Sequence, residues 1–291
     1  MKVERSFCCH SCAQPIRNIR CSIRPRRSTN HLPSIDITRD GNIATVAINN
    51  PGKLNALTVA MWRELARVMR ELASDAELRC IVLRGAGHQA FAAGADMTEF
   101  AHARNNFAQG KLYHLEYVAG ALDAVGMCRH PTVALIQGPC AGGGLEIACH
   151  CDLRVSGVSG RFGVPINRIG FAIAYGELAG LLAVAGRAVA AEILLEGRMW
   201  TADEAFAKGL LTRVVPDEHV QAEAYASARR IADGAPLVAR WHKRFIRRLT
   251  PQAATLTEAE IDANFDYFDT EDYRIGYHAF INKKKPKFQG R

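Results

Sequence analysis

Apolar runs and helical patterns alternate twice along this chain, and that order limits its fold more than any other feature. "IATVAINN" (43–50) and "RCIVLRG" (79–85) flank a stretch at 58–74 whose Met61, Leu65, Val68 and Leu72 fall on one helical face. "TVALIQG" (132–138) and "CDLRVSG" (151–157) flank a second helical stretch, Gly142–Cys149. Strand–helix–strand order calls for parallel pairing, so the pattern predicts an α/β architecture. Ahead of it, "IDITRDGNIATVAINN" alternates on both sides of Asp40-Gly41 and predicts a hairpin. Thr58 is placed to cap the first helix. Thr201 and Glu204 have capping-box spacing, and Gly209 closes that helix. Beyond "LLTRVVP" the pattern is helical. The chain divides into a basic, Cys-rich extension at 1–33, read as disordered, an α/β body at 34–205 and a helical region at 206–291.

Composition narrows the partners. The net charge of +8 is concentrated at the ends, with +6 in residues 1–33 and +5 in residues 283–291, which leaves the body at −3. A basic nucleic-acid groove is therefore not expected, and the ends suit local anion contacts. Nine cysteines are an odd number and do not form a disulfide framework. Cys80, Cys128, Cys140, Cys149 and Cys151 sit in apolar surroundings and read as buried thiols of a reducing compartment. The expected location is the cytoplasm, or the mitochondrion if residues 1–33 act as a targeting segment. No apolar run reaches the roughly 18 residues of a membrane span, and Glu177 interrupts "AIAYGELAGLLAVAG". Cys9-x-x-Cys12 with His10 lacks a second ligand pair, so no metal is expected there.

Several motif candidates lose their context on inspection. Gly85-Ala-Gly87 follows a strand, but no helix opens behind it as a dinucleotide site requires. Cys149, His150, Cys151 and Asp152 are consecutive, so their side chains diverge and cannot share an ion. No G-x-S-x-G nucleophile turn is present. "AGGGLE" (141–146) is different. Glycines at a helix start leave backbone N–H groups accessible where the helix dipole adds positive charge. The Gly143 N–H and one from the "AGAD" loop (93–96) would make an oxyanion hole, with Glu146 one turn inward as a general base. The plainer alternative makes the glycines a tight helix–strand contact and Glu146 a solvated or capping acid.

Six segments carry a family likeness: "NNPGKLNAL" (49–57), "FAAGADMTEF" (91–100), "GPCAGGGLEIACHCDLRVSG" (138–157), "FGVPINRIG" (162–170), "GRMWTADEAFAKGLLTRVV" (197–215) and "FINKKKPKF" (280–288). On these the chain resembles the crotonase (enoyl-CoA hydratase/isomerase) superfamily from about Ile35 onward. The resemblance implies a spiral of β-β-α units and a helical C-terminal region that assembles trimers, often paired into hexamers. It implies stabilisation of a thioester enolate, with Ala95 and Gly143 as N–H donors and Glu146 as acid/base. Leu54, Ala56, Ala93, Asp96, Met97, Gly142 and Lys283 are the implied contacts to substrate or CoA. No cofactor apart from the substrate's own CoA, no metal and no membrane partner is implied.

The chain also departs from the family. Hydratases carry a second glutamate after the proline of "FGVPINRIG", where this chain has Ile166. Tyr175 and Glu177 are newcomers in the next segment. Glu177 is a candidate replacement acid, or else a first-turn helix acid. Enoyl-CoA hydratase is the first reading, and a double-bond isomerase, which needs one base, is the second. A thioester hydrolase or decarboxylase of the same fold is a further alternative. So is a catalytically silent protein that binds RNA or a partner through its basic ends, against which the intact Glu146 and "AGGG" weigh.

Overall fold

The computed structural model describes residues 32–250 and 255–291. The extension at 1–33, with its Cys9 and Cys12, lies outside the described residues except for Leu32 and Pro33. Among the described residues nine strands form two sheets: β1 (Ser34–Asp40), β2 (Ile43–Asn49), β3 (Cys80–Gly85), β4 (Thr132–Ile136), β5 (Pro139–Ala141), β6 (Leu153–Gly157), β7 (Arg161–Gly163), β8 (Trp200–Thr201) and β9 (Arg213–Val215). The larger sheet has the order β1-β2-β3-β4-β6-β9, and the smaller has β5-β7-β8. β1 and β2 are the antiparallel hairpin expected at Asp40-Gly41, with Asp40 opposite Ile43 and Gly41 at φ +56°. Every other neighbour in the larger sheet is parallel.

The helices are α1 (Val59–Ser74), α2 (Phe100–Ala103), α3 (Phe107–Leu112), α4 (Ala119–Gly126), α5 (Gly143–His150), α6 (Tyr175–Glu196), α7 (Ala202–Ala207), α8 (Asp217–Ala232), α9 (Pro236–Leu249), α10 (Glu258–Ala263) and α11 (Glu271–Ile281). Thr58 caps α1 by accepting the Met61 N–H at 3.2 Å. A strand's side chains alternate between faces, and the central strands are apolar on both. Val46, Ile48, Ile81, Leu83, Ala134 and Ile136 join α1, α4 and α5 in the main core. Ile43, Val82, Val133, Leu135 and Val155 point the other way, onto Val220, Ala224 and Ala228 of α8. A third cluster joins Phe265, Phe268 and Tyr273, from the chain after α10, to Phe100 and Phe171.

Two expectations are corrected. β9 pairs with β6, Val155 opposite Arg213, so the sheet runs past the boundary drawn at residue 205 and α8 completes its core. Three residues are too few to display a strand period, which hid β9 in a segment read as the start of a helical region. Thr201 does cap α7 through the Glu204 N–H at 3.2 Å, but the Glu204 carboxylate turns away to Arg198, 2.8 Å from Nη1. The capping box is half formed.

The Cys149–Asp152 stretch divides as its geometry required. Cys149 and Cys151 are buried thiols. His150 Nδ1 lies 2.8 Å from the Glu146 carbonyl. The Asp152 carboxylate accepts from the Thr132 N–H and from the buried Lys243 Nζ, each at 2.7 Å.

Candidate active site

Two loops meet at the start of α5. The turn before α1 places Leu54 and Asn55 in the left-handed region, at φ 49° and 57°. Asn55 tolerates this because its buried amide pins the turn, donating to the carbonyls of Ala86 at 3.1 Å and Ala90 at 2.9 Å. The "LNAL" and "AGAD" segments then run side by side: Ala93 N–H to Leu54 O at 3.0 Å, Leu57 N–H to Gly94 O at 2.8 Å, and Asp96 N–H to Leu57 O at 2.8 Å. On the "AGAD" side this ladder uses the N–H groups of Ala93 and Asp96 and passes over that of Ala95. Among the described residues neither the Ala95 nor the Gly143 N–H is donated to a backbone acceptor. A Cβ built on Gly94 would stand 3.8 Å from the Gly143 nitrogen, so the two loops are in contact.

The three glycines have three different reasons. Gly142 turns the chain into α5 at φ +47°. A Cβ on Gly143 would come within 2.7 Å of the Trp62 ring, and one on Gly144 within 2.3 Å of the Ala92 carbonyl oxygen. Gly144 is thus the tight contact of α5 with the Ala92 backbone, while the Gly143 N–H has no backbone acceptor among the described residues.

Glu146 is buried, and its Oε2 lies 3.8 Å from where a Gly143 Cβ would be, so the carboxylate turns back toward the opening of the helix. Burial first, and then the charge of Glu177, push its pKa well above the usual 4.5, against the pull of Arg104. It is not the solvated acid of the plainer alternative. Glu177 is also buried, in the first turn of α6, where it accepts the Ala174 N–H at 3.3 Å and bonds to His114 Nδ1. Its role as a first-turn acid and its approach to Glu146 are both real. Burial foremost, and then Arg104, hold the His114 pKa below its ordinary 6.5, and its Nε2 is sealed without a partner.

Sequence reasoning missed His114 and Arg104. His114 projects inward from a π-helical turn, Tyr113–Val118, between α3 and α4. Such turns recur at functional sites, but no local pattern announces them. Arg104 follows α2 and is 5 % exposed. Its guanidinium carbon lies 4.5 Å from the Phe171 ring centroid and 4.8 Å from that of Phe100.

The remaining predicted contacts divide. Leu54, Ala56, Ala93 and Gly142 line the junction, and Met97 packs on the third cluster. Asp96 is committed elsewhere: it pairs with Lys53 at 2.7 Å and caps the turn at Met97–Glu99. Burial would raise its pKa, but the hydrogen bonds from Lys53 and Thr98 win and hold it below 3.8. Lys283 lies at the exposed end of α11 with φ 52°. Ile166 packs against both the main core and the aromatic cluster.

These features define a crotonase-fold site, and comparison with known proteins agrees. The chain matches the enoyl-CoA hydratase/isomerase family over residues 38–291 and belongs to it. It is 31% identical over 257 residues to a short-chain-enoyl-CoA hydratase of Clostridium acetobutylicum, covering 87% of this chain and 97% of the other. The crystal structure of an enoyl-CoA hydratase/carnitine racemase from Magnetospirillum magneticum is 50% identical, with TM-score 0.74, covering 90% of this chain and 97% of that one. A methylmalonyl-CoA decarboxylase structure superposes with TM-score 0.79 at 25% identity, covering 88% and 98%.

Proposed function

We propose that this protein hydrates 2-enoyl-CoA thioesters. The observation that carries the reading is the pair of buried carboxylates, Glu146 and Glu177, within electrostatic reach of each other beside two uncommitted N–H groups. The thioester oxygen accepts from the Ala95 and Gly143 N–H groups, and the enolate charge develops there. Glu177 takes a proton from the water that attacks C3. Glu146, kept protonated by its surroundings, delivers a proton to C2. The product gains hydroxyl at C3 and hydrogen at C2, and the proton held by Glu177 then returns to Glu146, so one water is consumed per turnover and both carboxyls are restored. Glu177 thereby supplies from α6 the second acid that Ile166 does not. The curated relatives named as hydratases support this assignment, and the CoA of the substrate is the only cofactor it needs. The basic tail at Lys283 suits the CoA phosphates.

A double-bond isomerase is the second reading, favoured by the apolar Ile166, because one base suffices to move a proton. Glu146→Gln should lower hydration of a short 2-enoyl-CoA about 10²–10⁴-fold with CoA affinity retained. Glu177→Gln should cost a similar factor, followed as loss of the conjugated thioester absorbance. If Glu177→Gln is silent while Glu146→Gln is dead, the one-base isomerase takes precedence. Full hydration by the double variant would place the chemistry on other residues.

A further inference from the structure

A buried cation is stable when an anion or a full set of acceptors surrounds it. Among the described residues Arg104 has no carboxylate in contact with it and no full set of acceptors. Its hydrogen-bond partner is the Tyr267 hydroxyl, 2.8 Å from Nη2, and its Nε is sealed from solvent with no partner. Aromatic rings enclose it: Phe171, Phe100, Tyr113 and Phe268 stand 4.5, 4.8, 5.6 and 5.9 Å from the guanidinium carbon. Glu177, the carboxylate whose charge it feels, is already held by His114 and the Ala174 N–H.

The position of this cage matters. The Trp62 ring covers Gly143, and Trp62 Nε1 donates to the Tyr113 hydroxyl at 3.0 Å, so a continuous wall runs from the start of α5 through Trp62 and Tyr113 to Arg104. Ala95 and Ile166 pack against the same aromatic cluster. In the acyl-CoA reading, an acyl chain whose thioester oxygen lies between Ala95 and Gly143 would run along this wall.

We propose that the acyl group carries a carboxylate at its far end, and that Arg104 is the residue that recognises it. This rests on the acyl-CoA reading above. A guanidinium edge matches a planar carboxylate in a two-point pair, and a single cation balances a single negative charge, which a phosphate dianion would exceed. The surrounding rings exclude water and strengthen the pair.

The test is calorimetric titration with two saturated, unreactive thioesters, glutaryl-CoA and pentanoyl-CoA. The wild-type protein should bind glutaryl-CoA about 10²-fold more tightly. Arg104→Met should erase the difference, and Arg104→Lys, which keeps the charge, should retain part of it. Melting curves show that each variant is folded. Equal wild-type affinities overturn the proposal. So does an Arg104→Met variant that weakens both ligands alike, since that makes the residue structural. No chemical step enters this measurement. Failure to hydrate any 2-enoyl-CoA would sink the hydratase reading and leave the recognition result standing, and the converse also holds.

Discussion

Glu146 shows how a site residue opposes the fold that holds it. Its folded pKa lies above the 4.5 of an ordinary glutamate, so the folded chain keeps its proton after the unfolded chain has lost it. The contribution to stability is complete below the unfolded pKa and declines as pH rises toward the folded one. Glutamine carries no such dependence. Glu146→Gln should therefore melt close to wild type below the ordinary glutamate pKa of 4.5 and progressively above it as pH rises, an inactive variant more stable than the enzyme. A melting difference that shrinks with rising pH would contradict the burial of this carboxylate. Ile166 carries the opposite lesson. Partly buried against two apolar clusters, it offers no carboxylate, so in the proposed hydration the second acid comes from another element.

The opening of α5 separates two costs that look alike on paper. At Gly142 the nearest atom to a built Cβ is 3.8 Å away, so alanine fits and the cost is backbone strain at φ +47°. Gly142→Ala should lose about 1–3 kcal/mol. At Gly144 the same methyl would sit 2.3 Å from the Ala92 carbonyl oxygen, which is backbone and cannot rotate away. Gly144→Ala should lose more than about 4 kcal/mol or yield no soluble protein. Urea unfolding of the two variants checks the ranking, and equal losses would refute it.

At the scale of the whole molecule, helix α9 turns an apolar face outward. Its buried side carries Lys243, paired with Asp152 at 2.7 Å, while Trp241, Phe245, Ile246 and Leu249 are 47%, 48%, 68% and 82% exposed. Leu182 and Leu195 of α6 are exposed as well. Apolar surface of this extent marks a contact face. We propose that the protein is a trimer or a pair of trimers, closed by symmetry as most homo-oligomers are. Light scattering at about micromolar concentration should give at least three times 31.9 kDa, and Trp241→Glu with Ile246→Glu should dissociate it. A monomeric wild type would end the idea.

Much of this was legible in the order of residues. The hairpin, the Thr58 cap, α5 and the strands at 80–85, 132–136 and 153–157 depend on neighbours a few positions apart, and short-range chemistry decides them. Gly143 and Glu146 were readable for the same reason: they lie within one helical turn. Arg104, His114 and Tyr267 were not, and Glu177 was readable only as one of two alternatives. Each belongs to a different element, and on its own Arg104 in "AHARNN" resembles any solvated arginine, as Glu177 resembles any first-turn acid. Their meaning comes from burial, which removes water, strengthens charge–charge forces and leaves the guanidinium Nε without a partner. Burial is a property of packing between segments far apart in the chain, and only that packing decides that Glu177 and Arg104 are enclosed.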